Sequence, residues 1–138
     1  MPHDLQPDGK VHGVIFACRR DDGRWLMIRR SQHVAILPLK VCFPGGGVSA
    51  NETKEAAVIR EAREELGITI TNLKPVWHHE FFDRPMILTG YFATMIPGVI
   101  NPDPLEIAEV LWLSKPEALA HSDGLPTNAS FLESLDGF

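Results

Sequence analysis

No run of apolar residues in the chain approaches the roughly 18 that a membrane-spanning helix needs. The first ten residues, MPHDLQPDGK, lack the basic start and apolar stretch of a secretory signal. Both absences lead to the expectation of a soluble cytoplasmic protein with no membrane partner. Cysteine is scarce: Cys18 and Cys42 are the only two. Their spacing suits neither a metal site nor a disulfide framework, so two buried, reduced thiols are expected. Positive charge is short as well. Thirteen Lys and Arg residues against 18 Asp and Glu leave a net charge of -5. This excludes a general binder of nucleic-acid polymers, which needs a basic face to neutralise phosphates, but leaves room for a small phosphorylated ligand. Lys115 is the only basic residue after position 84, whereas Arg19, Arg20, Arg24, Arg29, Arg30 and Lys40 crowd into the first third. An anion site built from side chains has to draw on that third.

What is present suits a globular unit. With 138 residues, 44% of them hydrophobic and 22% charged, the chain can bury one core, and residues 1–138 are expected to form a single domain. Val11 to Cys18 alternates, RRDDG supplies turn chemistry and Trp25 to Ile28 resumes the apolar pattern, which predicts a β-hairpin. Residues 31–40 read as an irregular connection, and Pro44 to Gly47 as a sharp loop whose glycines tolerate unusual backbone angles. A helix is predicted from about Glu52 to Leu66. Ser49 with Glu52 as a capping box, or Asn51 as N-cap, would open it, and Gly67 followed by Ile68 would close it. Strands follow at Val76 to Phe82, Met86 to Ile96 and Val110 to Leu113, broken by Pro85 and PGVINPDP, with short helices after Pro116 and from Thr127 to Leu135. Interspersed strands and helices of this kind predict an α/β sandwich with a mixed sheet.

The long helix carries an unusual charge pattern. At about 100° per residue, Val58, Ile59, Ala62 and Leu66 fall on one side, and Ala57, Glu61, Glu64 and Glu65 share a sector opposite them. An ordinary solvated face favours Glu followed four residues later by Lys, whereas like charges at that spacing cost about 0.2–0.5 kcal/mol per pair. Glu61 faces both Glu64 and Glu65 with no Lys in the sector. A divalent cation would relieve the repulsion, and carboxylates and carbonyls without His or Cys select Mg²⁺ or Mn²⁺ over Zn²⁺. Mg²⁺ held by a few carboxylates completes its shell with water and phosphate oxygens, so the pattern points to phosphate chemistry.

Gly46, then five residues to Glu52, then seven residues to Arg60-Glu61-Ala62-Arg63-Glu64-Glu65-Leu66-Gly67-Ile68 resembles a complete Nudix box over 23 residues. Ser49 stands where an acidic residue is common, and Asn51 where Gly is common. The resemblance implies an α/β/α sandwich and divalent-metal hydrolysis of a nucleoside diphosphate linked to another moiety. It implies Glu61, Glu64 and Glu65 as metal ligands, the Gly45 carbonyl as a further one, Arg60 as the group that orients the carboxylates, and Glu52 as its partner. The chemistry needs a cation to neutralise the diphosphate and acidify water, and a carboxylate to accept the proton. Glu64 is the first candidate for that base and Glu106, from LEIAEVLW, the second, with Glu106 also an auxiliary ligand. Arg30, at the end of the second strand, could hold a substrate phosphate.

His78 and His79 are adjacent in a strand and point to opposite faces, so they cannot share an ion. Trp77, Phe81, Phe82 and Tyr91 are read as core, with room for one of them to stack on a base. LMIRR before the loop, EFFDR after the box and LPTNASFLESL near the C-terminus are loosely similar to MutT-type nucleoside triphosphate pyrophosphohydrolases. That likeness implies that Asn128 reads a purine edge and Gly46 lines the substrate site. ADP-ribose, coenzyme A, NADH and dinucleoside polyphosphates are the alternative substrates within the family, and a non-catalytic nucleotide-binding module is the alternative outside enzymes. The expected partner is a small nucleotide, bound by a monomer or homodimer.

Overall fold

A computed structural model describes residues 5–138; residues 1–4, the start of the stretch searched for a leader signal, lie outside the described residues. Among the described residues, seven strands and three helices follow one another as β1 Val11–Ala17, β2 Trp25–Arg30, β3 Val41–Cys42, β4 Gly45–Gly47, α1 Lys54–Leu66, β5 Ile70–Glu80, β6 Met86–Met95, β7 Ile107–Leu113, α2 Lys115–Ala120 and α3 Thr127–Ser134. The strands form two sheets, ordered β4-β1-β6-β5 and β3-β2-β7. In the first, β1 runs parallel to β6 and the other pairs are antiparallel, which is the mixed sheet expected.

The expected hairpin does not form. β1 and β2 belong to different sheets and are linked at the crossover by an Arg19–Trp25 bridge, the Leu26 N–H donated to Cys18 O at 2.9 Å and the Arg20 N–H donated to Arg24 O at 2.8 Å. Both edges of β1 are taken, one by β4 and the other by β6, so none is left for β2. Alternation along the two strands instead feeds two cores. Val14, Phe16, Leu26 and Ile28 face the cluster that contains α1, while Ala17, Trp25 and Met27 face the cluster that contains α2 and α3. Helices therefore cover the strands on two sides. Cys18 and Cys42 are both buried and unpaired, as expected, and burial pushes their thiols up to about 12 and about 11.

α1 starts later than predicted. Thr53 is its N-cap, with Oγ1 accepting the Ala56 N–H at 3.1 Å. Glu52 instead closes a separate turn in which its carboxylate accepts the Ser49 N–H at 3.0 Å, and Asn51 stands at φ 67°. The C-terminal end is as expected: Gly67 adopts the left-handed conformation at φ 65° and donates its N–H to Arg63 O.

The division of the α1 faces also needs correcting. Ala57, Val58, Ala62, Glu65 and Leu66 are buried, while Ile59 is 37% exposed. At about 100° per residue, the packed arc runs from Ala57 through Glu61 and Glu65 to Val58, Ala62 and Leu66, and Ile59 falls off its end. Half of the acidic sector thus lies inside the molecule. Among the aromatics, Tyr91 is core, with its hydroxyl donated to Glu55 Oε2 at 2.6 Å. Phe82 is fully exposed, because it sits in the turn between β5 and β6 rather than in a strand. No helix among the described residues is long and apolar enough to cross a membrane.

Candidate active site

The triple glycine is a strand, not a loop. Gly45, Gly46 and Gly47 pair antiparallel with Ile15, Val14 and Gly13, and none of the three has a positive φ. Glycine is required here for close approach. A Cβ on Gly45 would overlap the Val14 carbonyl oxygen and lie 2.7 Å from Ile15 Cα, and one on Gly46 would overlap the Glu61 carboxylate, 2.6 Å from Oε2. Bare backbone lets α1 lie directly on β4. Glu61 then rests over Gly46, and Glu65 Oε1 accepts the Gly45 N–H at 3.1 Å.

Arg60 organises the acidic residues around this contact. Its Nε donates to Glu52 Oε2 at 2.8 Å, and its Nη2 to Glu52 Oε1 and Gly47 O, both at 2.9 Å. Its Nη1 donates to Glu61 Oε1 at 2.9 Å and to Glu64 Oε2 at 3.2 Å. One guanidinium thus ties the turn before α1, the glycine strand and two of the three box carboxylates together. The predicted pairing of Glu52 with Arg60 is present.

The electrostatics are those of carboxylates held together against their preference. Burial pushes Glu65 up to about 8, aided by the charges of Glu61 and Glu106 and opposed by the Gly45 N–H and Arg30. Burial also raises Glu61, with Glu64 and Glu106 adding to the shift and Arg60 countering it. Glu106 lies in the turn before β7, where its carbonyl accepts the Ser31 N–H at 2.9 Å, and it acts on both buried carboxylates. Glu61 and Glu65 therefore meet the glycine strand at Gly46 and Gly45, with the charge of Glu106 acting on both and that of Arg30 on Glu65. Glu64 stays at the rim, its side chain 60% exposed.

No three acidic, His or Cys side chains among the described residues close into a ready-made metal cage. Arg60 holds Glu61 and Glu64 in hydrogen bonds. The donor set nevertheless fits a hard divalent ion: its members are oxygens, Glu65 is buried and Glu61 partly buried beside it, and the repulsion of like charges favours a cation between them. Glu61, Glu65 and Glu106 would hold such an ion, with Glu64 joining on release from Arg60.

Asn128 is not part of this cluster. It is buried on the α3 side and donates its Nδ2 to Val41 O at 3.0 Å. The two histidines diverge as expected: His79 stacks on Trp77 at 5.7 Å and meets the edge of Phe81 at 4.6 Å, while the neighbouring His78 pairs in register with Thr89. Sequence reasoning missed Ser31. Its Oγ donates to Leu105 O at 2.8 Å and its N–H to Glu106 O, fixing the turn that carries Glu106. Nothing in the local sequence marks it, because both partners are more than 70 residues away.

A family model described as the NUDIX domain matches residues 10–135. The chain belongs to the Nudix hydrolase family. The Nudix helix is α1, and the Nudix glycines are β4. Among curated proteins, the chain is 34% identical over 113 residues to an NAD-capped RNA hydrolase NudC of Salmonella paratyphi C, covering 82% of this chain and 40% of that protein. A second NudC, from Escherichia coli O1:K1 / APEC, is 34% identical over 99 residues, or 72% of this chain and 37% of that protein. The chain thus spans about two-fifths of the length of these relatives. Among solved structures, a MutT NUDIX hydrolase from Burkholderia pseudomallei superposes with a TM-score of 0.80 at 25% identity, over 91% of this chain and 98% of that one. A MutT protein from Methanosarcina mazei Go1 shares the fold with a TM-score of 0.76 at 23% identity, over 93% and 94%.

Proposed function

We infer that the protein is a divalent-metal-dependent pyrophosphohydrolase of the cytoplasm, acting as a single domain, monomeric or homodimeric, on a small nucleotide. It cleaves a phosphoanhydride bond in a nucleoside diphosphate joined to another moiety. The observation that carries this reading is the packing of buried Glu65 and partly buried Glu61 against bare glycine backbone, with the charge of Glu106 acting on both, a set of like charges that a divalent cation would relieve. Mg²⁺ or Mn²⁺ bound there supplies charge neutralisation of the diphosphate and acidifies water.

The chain's own residues do the rest. Glu61 and Glu65 are fixed by Arg60 and the Gly45 N–H, so they are oriented before any ligand arrives. Arg30, close enough to Glu65 to act on its charge, binds a substrate phosphate. Glu64, exposed at the rim, accepts the proton from the attacking water, with Glu106 second in line. Asn128, Trp77 and His79 lie on the α3 side, where a base would stack and meet an amide.

Nucleoside triphosphates are one substrate class, supported by the likeness to the Burkholderia MutT structure. Diphosphate diesters such as NADH, ADP-ribose, coenzyme A or dinucleoside polyphosphates are a second reading, favoured by the identity to the NAD-capped RNA hydrolases. A panel of these compounds assayed with Mg²⁺ separates the two. Pyrophosphate with a monophosphate marks the first class, AMP with a second phosphorylated fragment the other, and no hydrolysis of any compound defeats the inference. Glu64→Gln is expected to abolish hydrolysis while leaving the melting temperature in place.

A further inference from the structure

Glu106 is an exposed residue in the connection between β6 and β7, yet every backbone polar group around its Cα is held. On the N-terminal side, Leu105 O accepts the Ser31 hydroxyl at 2.8 Å, and the Glu106 N–H is donated to Asp103 O at 3.0 Å. On the C-terminal side, Glu106 O accepts the Ser31 N–H at 2.9 Å, and the Ile107 N–H is donated to Asp103 O at 2.8 Å. Both peptide planes that flank the Cα are therefore fixed at both their polar ends, and Ser31 and Asp103 supply all the partners.

These two residues are anchored in turn. Ser31 is 2% exposed and follows Arg30 directly at the end of β2. Its Oγ also accepts the His33 N–H at 2.9 Å, so the hydroxyl donates one bond and accepts one. Asp103 donates its N–H to Glu65 O at 2.8 Å, and its Oδ1 accepts the Leu105 N–H at 3.0 Å. The Glu106 backbone is thus tied to β2 on one side and to the Glu65 end of α1 on the other. A turn is commonly closed by a single hydrogen bond. A carboxylate that has to meet a ligand without searching for it needs its main chain fixed first, so that only the side-chain torsions remain to be set.

We propose that Ser31 is a positioning residue of the cation site: through the carbonyls on either side of the Glu106 Cα, it sets where the Glu106 carboxylate stands relative to Glu61 and Glu65. The proposal rests on the acidic cluster being that site. The charge of Glu106 already acts on both of the other carboxylates. Without the hydroxyl, Leu105 O loses its donor, and the peptide before Glu106 keeps one of its two bonds. That plane can then rotate and carry the carboxylate away. Hydrogen-bond partners that stand behind metal-ligating groups contribute about 10–100-fold to metal affinity. Ser31 falls at the lower end, because its N–H still holds Glu106 O when the side chain is cut back.

The test measures Mn²⁺ binding from the electron paramagnetic resonance signal of the free ion, without nucleotide. Ser31→Ala is expected to weaken binding about ten-fold, and Glu106→Gln at least as much. The double variant should bind no more weakly than Glu106→Gln alone, since the serine acts only through that carboxylate. Tyr91→Phe, which gives up a hydrogen bond to Glu55 instead, keeps the wild-type affinity. Wild-type affinity in Ser31→Ala, losses that multiply in the double variant, an unaffected Glu106→Gln, or an equal loss in Tyr91→Phe overturns the proposal. Where Ser31→Ala does not fold, Ser31→Cys decides, because a thiol nearly keeps the volume and is only a weak donor. Binding about ten-fold weaker than wild type then supports the proposal, and wild-type affinity overturns it. A wild type that takes up no Mn²⁺ removes the cation site and the proposal with it, whereas uptake that the Ser31 variants leave intact removes the proposal alone.

Discussion

Alanine placed at Gly46 and at Gly45 separates two kinds of crowding. At Gly46 the new methyl meets the end of the flexible Glu61 side chain, so the backbone can stay where it is while the carboxylate swings away. That movement breaks the 2.9 Å hydrogen bond from Arg60 to Glu61. A charged hydrogen bond contributes about 1.5–3 kcal/mol, and Ala in place of Gly returns about 0.4–1 kcal/mol by restricting the unfolded chain. The net loss is about 1–2 kcal/mol, or a fall in Tm of roughly 3–8 °C for a chain of this size. Hydrolysis should fall by about 10² or more, since a ligand has left its position. At Gly45 the methyl meets the Val14 carbonyl and Ile15 Cα, which cannot rotate aside. β4 must then part from β1, and the loss of strand hydrogen bonds in addition to overpacking takes the cost to about 3 kcal/mol or beyond. Thermal unfolding and nucleotide hydrolysis, measured on both variants, check this. A Gly46→Ala protein within two-fold of wild-type activity, or a Gly45→Ala protein that melts no lower than Gly46→Ala, would refute the reasoning.

Further outcomes follow from the same geometry. Without divalent cation, Glu65 is protonated in the folded protein up to about pH 8 but ionises near 4.5 when unfolded. Its contribution to stability is therefore full below pH 4.5, declines between those values and is lost above about 8. Urea denaturation in EDTA should show that decline, and Glu65→Gln should flatten it; a stability that rises with pH across this window contradicts the assignment. Tyr91→Phe removes the hydroxyl that reaches Glu55 from the buried side of α1. It should cost about 1–3 kcal/mol by urea denaturation, with hydrolysis kept within a few-fold. The two buried thiols should resist a thiol reagent at pH 8 in the folded protein and react on unfolding.

The sequence was most legible where structure is local. The Gly67 cap, the spacing of Glu61, Glu64 and Glu65 and the pairing of Glu52 with Arg60 all depend on residues within one helix and its entry, where periodicity and motif spacing carry the information. Sheet partners were not legible. The Arg19 to Gly23 turn looks the same whether its flanking strands pair or part, and the outcome turns on β4 and β6 occupying both edges of β1. The glycines were located correctly but for the wrong reason, since the neighbours that demand them, Glu61 for Gly46 and Val14 with Ile15 for Gly45, lie 15 or more residues away. Glu106 could be named only by resemblance, because the link that carries it to the cluster passes through Ser31. The exposure of Ile59 and the inward position of Glu65 follow from which side of α1 rests on β4, which composition does not reveal.

Arg60 gives the acidic cluster an internal counter-ion. One guanidinium already neutralises Glu52 and Glu61 and holds Glu64 at the rim, so the cluster has a positive partner of its own. Loading is then an exchange of one positive partner for another at a finished surface, unlike small metallo-domains whose folding and metal uptake are a single event. A chelator should silence such a protein without melting it, and readdition of the ion should restore it with no refolding step.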